Sequence, residues 1–246
     1  MKNNYFNNYS LINVYSKKSI KSKITTQLIY GEKFKIQKKN KKWIKIKLLD
    51  YKYSGFIKNK NYIKKFRPTY KVYILKSRIY DKPFLKNKTK NFLPFNSKIE
   101  NLKEENNFIK FKKNMWILKK NIKPLKFTYK NIFNNIKIFK NIKYKWGGRS
   151  FLGIDCSALL QLFLQFNNKY CPRDTVDQIK FFKKSKKIKK NSLLFWKGHV
   201  AIVLSKNKMI HAYGPKQKVV IMKINDSIKI IKKTANLELL AVKNLK

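Results

Sequence analysis

A cysteine attacks a carbonyl carbon as its thiolate, so a candidate nucleophile is a Cys whose surroundings favour the anion. Cys156 has such surroundings. It follows Gly153-Ile-Asp and opens a strongly apolar run that reads as a helix over Asp155–Phe166. Unpaired N–H groups and the helix dipole in a first turn stabilise a thiolate there. An imidazole within hydrogen-bond reach lowers the thiol pKa further. The chain has 2 histidines, His199 and His211, and they lie in consecutive apolar runs, His199–Ser205 and Lys208–Tyr213, that read as neighbouring strands. Paired as a hairpin, those strands bring both imidazoles to one sheet face. One can then take the thiol proton while the other orients it, the division of labour of a nucleophile–base–orienter triad. Taken singly, each residue has an ordinary explanation as a buried core thiol or a satisfied strand imidazole. Cys171 has no such company and reads as structural. The two histidines and Cys156 lack zinc-ligand spacing, so no metal is assigned.

The elements that must position these residues occupy the second half of the chain. Asn131–Ile142 carries Ile132, Phe133, Ile136, Phe139 and Ile142 at three- and four-residue steps, which predicts a helix. Asp174–Lys183 predicts another, with Asp174 as its N-cap. The strands Ser192–Trp196, His199–Ser205, Lys208–Tyr213, Val219–Ile224 and Leu239–Val242 follow. Helices and then a run of strands give an α+β domain over 127–246. Ahead of it, 1–66 reads as short strands at Gln27–Tyr30, Phe34–Gln37, Trp43–Leu48 and Gly55–Ile57, punctuated by Gly31 and Gly55. Residues 67–126 repeat the theme at Lys71–Leu75, Ser97–Leu102, Asn107–Phe111 and Met115–Leu118, with Pro83 and Pro94 in the connecting loops.

Of 246 residues, 61 are Lys or Arg and 11 Asp or Glu, a formal charge of +50. A nucleic-acid surface would be rich in Arg, the bidentate reader of phosphate and guanine. Here only Arg67, Arg78, Arg149 and Arg173 are Arg, and Lys is spread along the whole chain. Lys, Asn and Ile, all with AT-rich codons, are in excess together. Codon bias accounts for the charge more simply than a selected nucleic-acid partner, although salt-sensitive contacts with polyanions follow regardless. At 43% hydrophobic the chain is too apolar for disorder. No run suits a membrane span. The first residues lack the apolar core of a secretory signal, and two unpaired cysteines suit a reducing compartment; both point to the cytoplasm.

Tyr144-Lys-Trp-Gly-Gly-Arg, Gly153-Ile-Asp-Cys-Ser, Gly198-His-Val-Ala-Ile and a second His twelve residues later together resemble the NlpC/P60 cysteine peptidases. The resemblance covers 127–246. It implies a papain-like core, with the Cys at a helix start packed on a small antiparallel sheet. It makes Cys156 the nucleophile, His199 the general base and His211 the residue that orients it. The Cys156 N–H becomes a candidate oxyanion donor, aided by Tyr144. The spacing Tyr30-Gly-Glu, Trp43-Ile-Lys-Ile, Tyr53-Ser-Gly-Phe-Ile resembles a bacterial SH3-type barrel, with Trp43 in its core and Gly55 in a tight turn; 67–126 would be a second, degenerate one. Two such domains ahead of the peptidase resemble the γ-D-glutamyl-L-diamino-acid endopeptidases (dipeptidyl-peptidase VI). These cut murein peptides between γ-D-Glu and a diamino acid and require a free N-terminal L-Ala. By that likeness Asp155 and Ser157 hold the substrate's amino end and γ-D-Glu, and Pro172-Arg173-Asp174-Thr175 lines the groove. Arg173 either meets a substrate carboxylate or pairs with Asp174 or a neighbour. Glu32 and Tyr53 close the groove beyond L-Ala or are ordinary barrel residues. No cofactor is implied. Asn191-Ser192 stands where the family usually has Gly-Asp, a change expected to affect a turn. A wall-anchored peptidoglycan hydrolase and a non-catalytic binding module for wall fragments or polyanions are the alternatives.

Overall fold

A computed structural model of the chain describes residues 4–245. Its contacts divide the chain once, after Thr128. The expected domains 1–66 and 67–126 therefore lie in a single compact unit.

That first unit is built of strands, with a 3₁₀ turn at Lys119–Asn121. Asn4–Phe6, Lys33–Lys39, Trp43–Leu48, Ser54–Lys58, Leu11–Tyr15 and Ile24–Ile29 form one six-stranded antiparallel sheet in that spatial order. Val14, Leu28, Phe34, Ile44, Ile46 and Ile57 fill its core. Five further strands between Lys76 and Leu118 form a second sheet, and Lys98–Ile99, Tyr70–Val72 and Ile122–Pro124 a third. These enclose Val72, Ile79, Leu93, Ile109 and Ile117 together with Tyr30 and Phe66. Two side chains from before residue 67 thus complete the later core, which is why the contacts do not part at residue 66. Trp43 is buried, as expected. Gly55 is not in a turn. It lies within Ser54–Lys58, where a Cβ would meet Val14 Cγ1 at 2.5 Å, so a close strand–strand approach explains the missing side chain.

The second unit carries a six-stranded antiparallel sheet in the order Lys183–Ser185, Ala241–Asn244, Leu193–Trp196, His199–Val203, Lys208–Tyr213, Lys218–Lys223. Helix α1, Cys156–Phe166, packs on the His199 and His211 strands. Every residue of α1 except Gln165 is buried, the mark of a core helix with no solvent face. Helix α2 is Thr175–Phe181. Asp174 stands at its N-cap position but makes no capping hydrogen bond with its side chain. Helix α3, Ile224–Ala235, follows the last hairpin directly and buries Ile224 and Ile231 against Leu194, Trp196, Met209 and Tyr213.

The helix expected over Asn131–Ile142 is absent. The segment turns repeatedly, with a single 3₁₀ turn at Ile136–Phe139. Its apolar spacing still buries Phe133, Ile136 and Phe139. The Asn131 side chain accepts the Phe133 N–H, and Asn141 sits at φ 68°. Asn side chains offer the backbone local alternatives to helical bonds, and here they prevail. Asn191 has φ 69°, so the departure at Asn191-Ser192 puts one of the few tolerant side chains at a left-handed corner. No helix among the described residues is long and apolar enough to cross a membrane.

Candidate active site

Cys156 is the first residue of α1. Asp155 caps the helix, its Oδ1 accepting the Ala158 N–H at 2.8 Å, the arrangement that satisfies one orphan donor of a first turn. The Cys156 N–H has no acceptor among the described residues. The thiol is buried, its Sγ 3.9 Å from the Gly198 carbonyl at the turn into the His199 strand.

His199 and His211 do share one face of adjacent strands, with His199 Nε2 and His211 Nδ1 2.8 Å apart. That contact leaves His199 Nδ1 as the nitrogen free for the thiol. A base role for His199 then fixes both tautomers. His199 carries its proton on Nε2 and donates it to His211 Nδ1, so His211 carries its own on Nε2.

Burial sets the charge states. It holds the His199 pKa down at about 4. His211 is lowered in the same sense by burial and by its neighbour His199. Burial also pushes the Cys156 thiol up to about 12, with the Asp155 carboxylate adding to the rise and the Val200 and Ser157 N–H groups opposing it. A helix start and a nearby imidazole by themselves predict a lowered thiol pKa. Dehydration of the sulfur outweighs the helix terminus and N–H donors that favour the anion. The resting pair is neutral thiol and neutral imidazole, so the thiolate must form as its proton passes to the imidazole.

Asp155, Ser157 and Arg173 are brought together, but to one another. Arg173 Nη2 lies 2.6 Å from Asp155 Oδ2, and its Nη1 donates to Asp155 Oδ1 at 3.1 Å and to Ser157 Oγ at 2.7 Å. Ser157 Oγ donates to Asp155 Oδ1, and the Gly147 N–H donates to Asp155 Oδ2 at 2.9 Å. Five donors occupy the carboxylate, more than its roughly four lone-pair directions. Asp155 therefore anchors α1, Arg173 and the Gly147 loop, and has no room for a substrate ammonium. Arg173, 1% exposed at its side chain, is likewise in an ion pair, with Asp155.

The loop Tyr144–Gly148 leans on this anchor. Gly147 has φ 72° and Gly153 φ 147°, backbone that favours glycine. A Cβ on Gly148 would strike the Gly153 carbonyl. These requirements keep Tyr144 within electrostatic reach of Cys156 and Asp155 and beside Gly214. Thr175 is half-buried at the first position of α2. Cys171 is fully buried and accepts from Gln178 Nε2 at 3.6 Å. In the first unit, Glu32 is buried with Oε2 accepting the Ile29 N–H at 2.9 Å, and Tyr53 packs near Tyr51 on the apolar core. Both have a folding role there.

Sequence reasoning missed two neighbours of the histidines. Tyr213 stacks on His211 with centroids 4.9 Å apart, and Trp196 lies 5.6 Å from His199. A signal for Tyr213 exists in the sequence: it is two residues beyond His211 on one strand and so shares its face.

The NlpC/P60 family matches residues 141–235, and the bacterial SH3 domain matches 10–64. Dipeptidyl-peptidase 6 of Lysinibacillus sphaericus is 39% identical over 72 residues, a stretch that covers 28% of this chain and 27% of that protein. The crystal structure of an NlpC/P60 family protein from Bacillus cereus ATCC 10987 superposes with a TM-score of 0.83 at 18% identity, covering 98% of this chain and 99% of that one. An NlpC/P60 endopeptidase from Photobacterium damselae subsp. piscicida gives 0.64 at 15% identity, over 99% of this chain and 71% of that one. At such identities the likeness is one of fold. With the Cys–His–His arrangement inside the matched segment, the chain carries an NlpC/P60 domain behind a bacterial SH3 domain.

Proposed function

We propose that the protein is a cysteine endopeptidase that hydrolyses murein peptides between γ-D-Glu and a diamino acid, acting on chains with a free N-terminal L-Ala. The observation that carries the reading is Cys156 at a capped helix start, its Sγ 3.9 Å from the Gly198 carbonyl that leads into His199, with His199 and His211 paired at 2.8 Å. The family match and the partial likeness to a dipeptidyl-peptidase 6 support the substrate class.

In this reading His199 Nδ1 takes the thiol proton as Cys156 Sγ attacks the carbonyl carbon of γ-D-Glu. The imidazolium is stabilised through its Nε2–H by the His211 Nδ1 lone pair. The carbonyl oxygen becomes an oxyanion that accepts from the Cys156 N–H, with Tyr144 beside it. The C–N bond breaks as His199 returns the proton to the leaving amine of the diamino acid. Water, deprotonated by His199, then releases the acyl group and restores the thiol. Because Asp155 is saturated, recognition of the L-Ala ammonium falls to other residues of the groove.

Mass spectrometry of a digest of L-Ala-γ-D-Glu-meso-diaminopimelate, run beside its N-acetylated form and a Cys156→Ala control, tests this. Release of L-Ala-D-Glu from the free peptide alone supports the reading. Cleavage of both forms retains the peptidase and removes the amino-end requirement. Cleavage of neither refutes the reading and favours a binding module.

A further inference from the structure

An orienting histidine is ordinarily fixed by a hydrogen bond from its second nitrogen. His211 lacks one: its Nε2 is buried with no hydrogen-bond partner among the described residues. Across the sheet it faces the apolar Val220. On polar grounds only the 2.8 Å contact with His199 sets the rotation of the ring. What holds the ring is an aromatic face. Tyr213 stacks on His211 at an interplanar angle of 21° and also lies 5.8 Å from His199.

Tyr213 is itself tethered. Its hydroxyl bonds to Thr234 Oγ1 in the last turn of α3, and Thr234 Oγ1 donates to the Ile230 carbonyl at 2.8 Å. A hydroxyl has one proton, so with that proton on Ile230 the Tyr213 O–H must be the donor to Thr234. A directed chain therefore runs from the α3 backbone through Thr234 to the ring that covers His211.

We propose that Tyr213, tethered by Thr234 of α3, is a positioning residue that holds the His211 ring in the rotation that accepts the His199 proton. The proposal rests on the catalytic reading of the histidine pair. It gives α3 a task beyond core packing, that of a backstop for the orienting histidine.

The test uses the full chain with Tyr213→Phe, which keeps the stack and loses the tether, Thr234→Val, Tyr213→Leu, and the Tyr213→Phe/Thr234→Val double variant. Thr234 is exposed, so Thr234→Val folds. On the murein tripeptide each conservative variant is expected to lower kcat by about 3- to 10-fold with KM changed by less than about 2-fold. The double variant should match the singles, because both remove one contact. Tyr213→Leu should lose about 30-fold or more. A second readout needs no substrate. With 2 histidines in the chain, long-range ¹H–¹⁵N spectra show both imidazoles separately. The wild type should show His211 as the single Nε2–H tautomer, and the Phe and Val variants should show averaging between tautomers. Wild-type kcat and unchanged imidazole shifts in both conservative variants overturn the proposal. So does a double variant whose loss is the product of the two singles. If the wild type cuts no murein peptide, the substrate reading fails, and the spectra alone decide the tether.

Discussion

The Asp155–Arg173 pair permits a quantitative test of how the start of helix α1 is held. Replacing Arg173 with Met removes two charge-assisted bonds to Asp155 and one to Ser157. The carboxylate stays buried, keeping only the Gly147 and Ala158 N–H groups and the Ser157 hydroxyl. Breaking a buried pair in this way costs about 3–5 kcal/mol. Asp155→Asn retains an N-capping oxygen but removes the buried carboxylate that Arg173 grips with both Nη atoms, and a similar cost follows. The Asp155→Asn/Arg173→Met double substitution removes both charges, so its cost should fall well short of the sum, with a coupling energy of about 2–3 kcal/mol. Urea titration of the full chain, read from amide protection of α1 by hydrogen exchange, scores the unit that holds the pair. Additive losses, or a loss under about 1 kcal/mol for Arg173→Met, would falsify the assignment of Arg173 as an anchor and return it to the substrate groove.

Four further outcomes are expected. Cys156→Ala should abolish peptide cleavage with the fold retained, checked by circular dichroism and the digest. With His199 held at about 4, kcat/KM should keep its plateau below about pH 6.5 and fall only near pH 4; an acid limb at about 6.5 would show that the free enzyme hydrates this histidine. The same shift has a stability sign. Between about pH 6.5 and 4 the unfolded chain binds the proton and the folded chain does not, so stability falls with falling pH, by about 3 kcal/mol from His199, measured by urea titration against His199→Leu. Iodoacetamide should label Cys156 and Cys171 slowly at neutral pH, since burial raises both thiols; mass spectrometry that found rapid, selective labelling of Cys156 would contradict a neutral resting pair.

Local chemistry makes much of this legible without coordinates. Asp-Cys-Ser ahead of a strongly apolar run announces α1 and its cap, because a cap is decided within a single helical turn. Trp43–Leu48 and Met115–Leu118 fall on the expected residues. Elsewhere the decisive partner is remote. From sequence Asp155 reads as a ligand for a substrate, because its true partner, Arg173, is 18 residues away. The helix end that Cys156 occupies argues for a lowered thiol pKa, while burial by two strands from far along the chain reverses the shift. Helix α3 escapes the sequence reading even though Ile224, Ile228 and Ile231 recur at helical spacing. Its β-branched residues resemble a strand continuing from Val219–Ile224, and packing on the sheet overrides that preference.

The left-handed corners of the backbone reveal where a biased composition meets its limit. Ten non-glycine residues among those described have positive φ, and eight are Asn: Asn96, Asn106, Asn107, Asn114, Asn141, Asn168, Asn191 and Asn236. A chain with only 7 glycines turns its corners with the side chain that costs least there after glycine itself. Drift toward Asn can thus proceed at most bends without unfolding the protein. It stops where a Cβ has no space, as at Gly148 and Gly153, each with a neighbouring atom within 2.5 Å of where a Cβ would stand. Both lie in the loop that leads from Tyr144 to Cys156. Gly147 donates to the Asp155 carboxylate, Gly198 meets the thiol, and Gly214 lies beside Tyr144. Five of the seven glycines therefore lie in or beside the candidate active site.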